Sequence, residues 1–338
     1  MMEKKDLRII FMGTPEFAVE SLKSLVEGGY HVVAVVTQPD KPVGRHQDTL
    51  QAPPVKQYAL SQGLPVLQPV KMKDPDFIEA LRRYEADLQV VVAFRMLPEI
   101  VWAMPRFGTF NVHAALLPQY RGAAPINWAV INGETQTGVT TFFLDHDIDT
   151  GRIIMQKRFP IPDEANVEYV YDGLMHLGAE IALETIDQLI ASDGNISSIA
   201  QEEFIGEGVE LKSAPKIFKD TCCIDFHKPA KQVHDFIRGL SPYPGAWTYI
   251  KKKDAVKEQV LKIFKTTVSE DSRGMAPVGC FRIEDGHLQI ACIDHWLNIY
   301  ELQLAGKKRM EASAFLNGMK DIAYYECQKT PDSDAGLR

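Results

Sequence analysis

The chain is poor in cysteine, and none of its cysteines stands in a Cys-x-x-Cys pair. The five are Cys222, Cys223, Cys280, Cys292 and Cys327. An odd number without regular spacing argues against a disulfide framework, so they read as reduced thiols in a cytoplasmic protein. Long apolar runs are missing as well. The stretch Ile9–Met12 is too short for a signal-peptide core or a membrane span, and the charged residues 1–7 before it do not resemble an export leader. Neither export nor membrane contact is expected. Glycines are missing where a dinucleotide fold requires them. The turn Gly13-Thr14-Pro15-Glu16-Phe17-Ala18 supplies one of the three, and Pro15 and Phe17 crowd the approach of a pyrophosphate. No nicotinamide or flavin is expected. Nor does Asp145-x-Asp147-x-Asp149 complete a calcium loop, because Thr150 stands where glycine is needed and Gln156 where glutamate is. No metal is expected.

What the chain does have is an ordinary apolar share, 45%, and enough length, 338 residues, for two domains with cores. Its net charge of −8 is unevenly spread. Residues 211–338 hold 20 Lys and Arg against 16 Asp and Glu, while the remainder holds 17 against 29. The clusters Lys251-Lys252-Lys253 and Lys307-Lys308-Arg309 both fall in the positive part. A solvated surface and a contact with a polyanion both fit this asymmetry, and composition does not decide between them.

The first half alternates. Strands are expected at Arg8–Met12, His31–Thr37, Pro65–Leu67, Leu88–Ala93, Phe110–His113 and Gly138–Leu144. Helices are expected from Pro15 to Glu27 and at Val55–Gln62, Asp76–Tyr84 and Glu168–Ile190. A Pro-rich loop runs from Gln38 to Pro54. This alternation predicts a doubly wound, Rossmann-like α/β domain over residues 1–190. A polar stretch, 191–214, reads as a linker. After a helix at Ala230–Leu240, five short strands are expected at Ala246–Lys251, Gln259–Thr266, Gly279–Ile283, His287–Ala291 and Trp296–Gln303. They suggest a small OB-like β-barrel over 215–330.

The stretch with most chemistry is Phe110-Asn111-Val112-His113. Side chains alternate across a strand, so Asn111 and His113 share one face. An amide can donate to a developing oxyanion, and an imidazole can share that load or move a proton. Asp149 could hold the imidazole in one tautomer. Taken alone, Asn111 and His113 could also be a satisfied polar pair at a strand end. Their place at a carboxyl edge, with the loop Leu116-Leu117-Pro118 and Arg121-Gly122 behind them, favours a site for acyl-type transfer.

Asn-x-His, Leu-Leu-Pro-x-Tyr-Arg-Gly-Ala-x-Pro and Asp-x-Asp-Thr-Gly together resemble the folate-dependent formyltransferases, and in particular those that act on methionyl-tRNA. Supporting stretches are Ile9–Ala18, Thr37–Arg45, Leu240–Trp247 and Ala305–Met310, so the likeness covers roughly 7–320. It implies formyl transfer from 10-formyltetrahydrofolate, a co-substrate, to the methionine amine of initiator methionyl-tRNA during translation initiation. It makes Asn111, His113 and Asp149 catalytic. Phe94, Arg95, Met96, Leu97, Ala115, Leu116, Leu117, Pro118 and Asp145 would touch the folate. Arg45, Lys251, Lys252, Lys307, Lys308 and Arg309 would meet the tRNA. A monomer is expected.

The chain departs from the family pattern in three places. Ala115 stands where a serine is usual, and His46-Gln47-Asp48 follows Arg45 where lysines are usual. Arg95 replaces a small or apolar residue, as in the related glycinamide ribonucleotide enzymes, where an arginine sits between the folate and amine sites. A formyltransferase for a small amine is the rival within the fold, but it would not need a basic barrel of this size. An RNA-binding module without catalysis would not need the Asn–His–Asp set.

Overall fold

A computed structural model of the chain describes residues 2–43, 49–253 and 255–328. They form two compact units. The first holds the chain up to Pro125, then Gln136–Pro160 and Tyr171–Ala214. The second holds Ile126–Thr135, Ile161–Val170 and the chain from Pro215 onward.

Seven strands build the sheet of the first unit: β1 (Ile9–Gly13), β2 (Val32–Val36), β3 (Val66–Leu67), β4 (Leu88–Val92), β5 (Thr109–His113), β6 (Gln136–Phe143) and β7 (Ile153–Pro160). They lie in the order β3-β2-β1-β4-β5-β6-β7. The first five in that order run parallel, while β6 pairs antiparallel with β5 on one side and β7 on the other. Every residue of β1, β2 and β4 is buried. Strands covered by helices on both faces favour continuous apolar runs, and these sequences supply them except at Gln89 of β4, whose side-chain carbonyl accepts from the Thr109 hydroxyl. Strand order reverses between β1 and β4, so the crevice beyond their carboxyl ends is where such a sheet takes a ligand.

This is the doubly wound domain the alternation predicts, and the structure adds elements that the pattern does not announce. β7 carries Gln156, Lys157 and Arg158, and only Ile153 of its eight residues is buried. Its sequence therefore lacks an apolar alternation that would mark a strand. A helix at Pro125–Ile131 is also new, as is a short hairpin, Lys41–Val43 with Thr49–Gln51, inside the Pro-rich loop.

The second unit is a nearly closed antiparallel barrel of β8 (Ala246–Lys252), β9 (Glu258–Ser272), β10 (Phe281–Glu284), β11 (His287–Ala291), β12 (His295–Leu304) and β13 (Tyr325–Gln328). Their order is β10-β11-β12-β9-β8-β13. Cys280 bridges to Glu326, and the Cys327 N–H donates to the Gly279 carbonyl at 2.9 Å, which brings the two edges together. The core alternates along β9, β11 and β12, with Leu261, Ile263, Leu288, Ile290, Leu297, Ile299 and Leu302 inside. The sequence pattern predicts five strands here; the sixth, β13, closes the sheet.

Helix Ala230–Gly239 explains why the excursion Ile161–Val170 belongs to this unit. Buried Arg238 donates to Asp235 Oδ1 at 2.7 Å and to the Ala165 carbonyl at 2.8 Å. His234 Nε2 donates to the Asp163 carbonyl at 3.3 Å, and its Nδ1 accepts from the Thr266 hydroxyl at 3.0 Å. Asn127 likewise donates to the Gly239 carbonyl at 2.9 Å and ties in the other excursion.

Candidate active site

β5 sorts its side chains as the alternation requires. Phe110 and Val112 are buried on one face, where Gly178 of helix Val167–Ala191 packs against Val112. Asn111 and His113 project from the other. The His113 ring is 6% exposed and meets Phe142 edge to face. Its Nε2 lies 2.9 Å from the Tyr120 carbonyl. A carbonyl only accepts, so Nε2 carries the hydrogen and Nδ1 is the nitrogen left for chemistry. Nδ1 faces Asp149 Oδ2 at 3.9 Å. Asn111 is half-buried, and its amide has no hydrogen-bond partner among the described residues.

Two loops hold this corner. The loop after β5 is anchored to β6 by the buried Thr140 hydroxyl, which donates to the Ala115 carbonyl at 2.6 Å and accepts from the Leu117 N–H at 3.1 Å. Gln156 of β7 adds a bond to the Leu117 carbonyl at 2.7 Å. The loop between β6 and β7 carries Asp149, whose Oδ2 accepts from the Gly122 N–H at 3.0 Å. Glycine is required at 122, where φ is +129° and a Cβ would sit 2.4 Å from the Ala214 carbonyl oxygen. At Gly151 a Cβ would sit 1.6 Å from the Phe143 carbonyl oxygen. Tyr120 and Asp149 are left-handed without being glycine, at φ +60° and +56°. Such backbone costs on the order of 1–3 kcal/mol and persists only where its surroundings over-determine it.

The residues expected to touch the folate divide by exposure. Leu97, Ala115, Leu117 and Pro118 are buried, Phe94 and Leu116 half-buried, and Met96 and Asp145 exposed. Leu97 and Phe94 pack with the apolar layer of β1, β2 and β4, beside the switch point. Asp145 accepts from the His146 N–H at 2.7 Å. His146 lies against the Trp102 ring and 3.8 Å from Glu99, away from His113. Arg95 donates to the carbonyls of Pro69 and Val70, so its guanidinium straps two loops together. Burial pulls that guanidinium below the ordinary arginine range. Exposed Val70, Met96, Ile100 and Ile148 stand around these loops, an apolar border suited to an aromatic ligand.

Of the expected tRNA contacts, Arg45 lies outside the described residues. The others share one end of the barrel. Val260 pairs with Tyr249 and its carbonyl accepts from the Ala305 N–H at 2.9 Å, so the end of β8 and the turn after β12 lie level. Lys251 is half-buried, whereas Lys252, Lys307, Lys308 and Arg309 are exposed. Lys252 pairs with Asp321 at 2.6 Å. Arg309 donates to Glu301 at 2.6 Å and lies over the Phe264 ring at 4.3 Å. Among the described residues, no group of three His, Cys, Asp or Glu side chains is placed to hold a metal ion.

Sequence reading missed Gln201, a buried residue whose side chain touches the Asp149 loop. A glutamine in a polar stretch carries no sign of burial.

With this geometry in hand, comparison with known proteins defines the class. The family model described as Formyl transferase matches residues 7–186, and that described as Formyl transferase, C-terminal domain, matches residues 216–320. The chain is 59% identical to the methionyl-tRNA formyltransferase of Parabacteroides distasonis, across 96% of this chain and 99% of that one. It is 60% identical to the protein of the same name from Phocaeicola vulgatus, across 94% and 98%. It belongs to the methionyl-tRNA formyltransferase family. A sugar 3N-formyltransferase, WlaRD, solved with dTDP and 5-N-formyl-THF, shares the fold at a TM-score of 0.61 and 20% identity, across 89% of this chain and 99% of that one. No described helix is long and apolar enough to cross a membrane.

Proposed function

We propose that this chain formylates the α-amine of methionine on initiator tRNA, with Asn111, His113 and Asp149 as its catalytic residues. The observation that carries the reading is the corner itself. His113 Nδ1 faces Asp149 Oδ2 at 3.9 Å, while Nε2 is committed to the Tyr120 carbonyl. 10-Formyltetrahydrofolate, bound along Phe94–Leu97 and Ala115–Pro118, supplies the activated formyl group.

The methionine amine attacks while neutral, and an oxyanion develops on the formyl oxygen. The Asn111 amide donates to that oxyanion; it makes no competing hydrogen bond among the described residues. His113 takes a proton from the attacking amine through Nδ1; as the tetrahedral intermediate collapses, the bond from the formyl carbon to N10 of the folate breaks and the proton passes to N10, releasing tetrahydrofolate. Asp149 stands by the imidazolium, and the Gly122 N–H keeps its carboxylate aimed there. The cationic end of the barrel, with Arg45, meets the tRNA phosphates. The reaction and the reduced thiols suit a cytoplasmic protein, acting as a monomer.

The test offers 10-formyltetrahydrofolate together with charged initiator tRNA, free methionine or an amino sugar. Formyl transfer to the charged tRNA alone is expected. Transfer to either small amine, without transfer to tRNA, overturns the reading.

A further inference from the structure

Residues 191–214 read in the sequence as a polar linker, yet in the structure they run along both loops of the catalytic corner. Ile199 and Ile153 exchange backbone hydrogen bonds, each 2.8 Å. Farther on, the Lys212 carbonyl accepts from the Tyr120 N–H at 2.7 Å. Gln119 brackets the same stretch, donating to the Glu210 carbonyl at 3.0 Å and accepting from the Lys212 N–H at 2.8 Å. Ser213 and Ala214 then pair in parallel with Arg121 and Gly122.

Between these contacts sits Gln201, 1% exposed. Its Nε2 donates to the Asp149 carbonyl and to the Gly151 carbonyl, both at 2.8 Å. Its Oε1 accepts from Arg121 Nε at 3.1 Å and from Nη2 at 2.6 Å. A primary amide has two N–H donors and two lone pairs, and here all four are used. One side chain thus grips the left-handed Asp149 on one loop and, on the other, the residue next to Gly122, whose N–H holds the Asp149 carboxylate. No other side chain of this size offers two donors to carbonyls and an acceptor to a guanidinium. Leucine would leave the two carbonyls and Arg121 unmatched. Glutamate would keep Arg121 but turn its lone pairs toward two carbonyl oxygens.

We infer that Gln201 is a positioning residue for catalysis: it holds Asp149 toward His113 Nδ1, and the 199–214 strap is a working part of the site. The inference rests on the reading of Asp149 as catalytic. Its test compares Gln201→Leu and Gln201→Glu with the unaltered chain, each assayed well below its thermal midpoint. A 10- to 100-fold fall in kcat is expected, with KM for charged tRNA within about twofold. Glutamate matches glutamine in size, so that variant carries the test if the leucine variant does not fold. The deciding measurement repeats each substitution in an Asp149→Asn background by single-turnover assay. If Gln201 acts through Asp149, most of its effect disappears there. A general loss of structure would instead multiply with the effect of Asp149→Asn and would track the melting temperature, and that result overturns the inference. Gln201 variants with unchanged kcat overturn it too, beside an impaired Asp149→Asn. An unimpaired Asp149→Asn overturns the catalytic reading itself, and the inference with it.

Discussion

The corner around His113 and the cationic end of the barrel are built in opposite ways. At the corner, side chains are buried or half-buried and aimed by bonds of fixed direction: His113 to the Tyr120 carbonyl, Asp149 to the Gly122 N–H. Asn111 is the exception, its amide without a partner among the described residues. At the barrel end the cations are mostly exposed, and two of them are tempered by acids, Lys252 by Asp321 and Arg309 by Glu301. Directed hydrogen bonds act over a few tenths of an ångström and are little affected by salt. Exposed charges act over a Debye length, about 8–10 Å at ordinary ionic strength, and depend on number more than placement. The two regions should therefore answer to different perturbations.

The largest effect is expected at the corner. His113→Ala and Asn111→Ala should each lower kcat by roughly 10²–10³, the usual cost of one oxyanion donor. KM for charged tRNA should stay within about twofold, and the fall in kcat should be the same at low and high salt. An effect confined to KM, or one that grows with salt, would break the contrast between the regions.

A smaller effect of the opposite kind is expected at the barrel. Reversing Lys307 and Lys308 together, each to Glu, should raise KM for charged tRNA roughly tenfold near 0.1 M salt and leave kcat alone. For every phosphate that is no longer neutralised, the salt dependence of binding should become shallower by about one power of salt concentration. An unchanged salt slope would remove this end of the barrel from the tRNA interface.

The two regions also differ in how far their sequences disclose them. β1, β2 and β4 are legible because burial on both faces favours long apolar runs, interrupted here only by Gln89 of β4. Asn111 and His113 are legible as a pair because their spacing of two fixes a common face, whatever surrounds them. Their partners are not. The Tyr120 carbonyl is backbone and leaves no trace in residue identity, and Gln201 meets its partners across 80, 52 and 50 positions. β7 stays hidden because its outer position in the sheet leaves it polar. At the barrel, the cationic clusters are visible at once, but Asp321 and Glu301 are not recognisable as the acids that face them. Local pattern reveals what one element needs from water. It does not reveal which distant group satisfies a single polar atom.

The pairing of Lys252 with Asp321 allows the finest test of the contrast, because it predicts a gain. Their hydrogen bond pushes the Lys252 ammonium above the usual lysine range and the Asp321 carboxyl below the usual carboxylate range. Both side chains are close to half exposed, and exposed pairs of this kind contribute little to stability. Asp321→Asn therefore removes a negative charge beside a lysine that would otherwise face phosphate, with little change in melting temperature. KM for charged tRNA should fall by about twofold at low salt, and the gain should fade as added salt shortens the screening length. kcat should not move, since the corner feels no change in direction or contact. If KM is unchanged at every salt concentration, Lys252 does not face the tRNA. The cationic surface then narrows to the turn that carries Lys307 and Lys308.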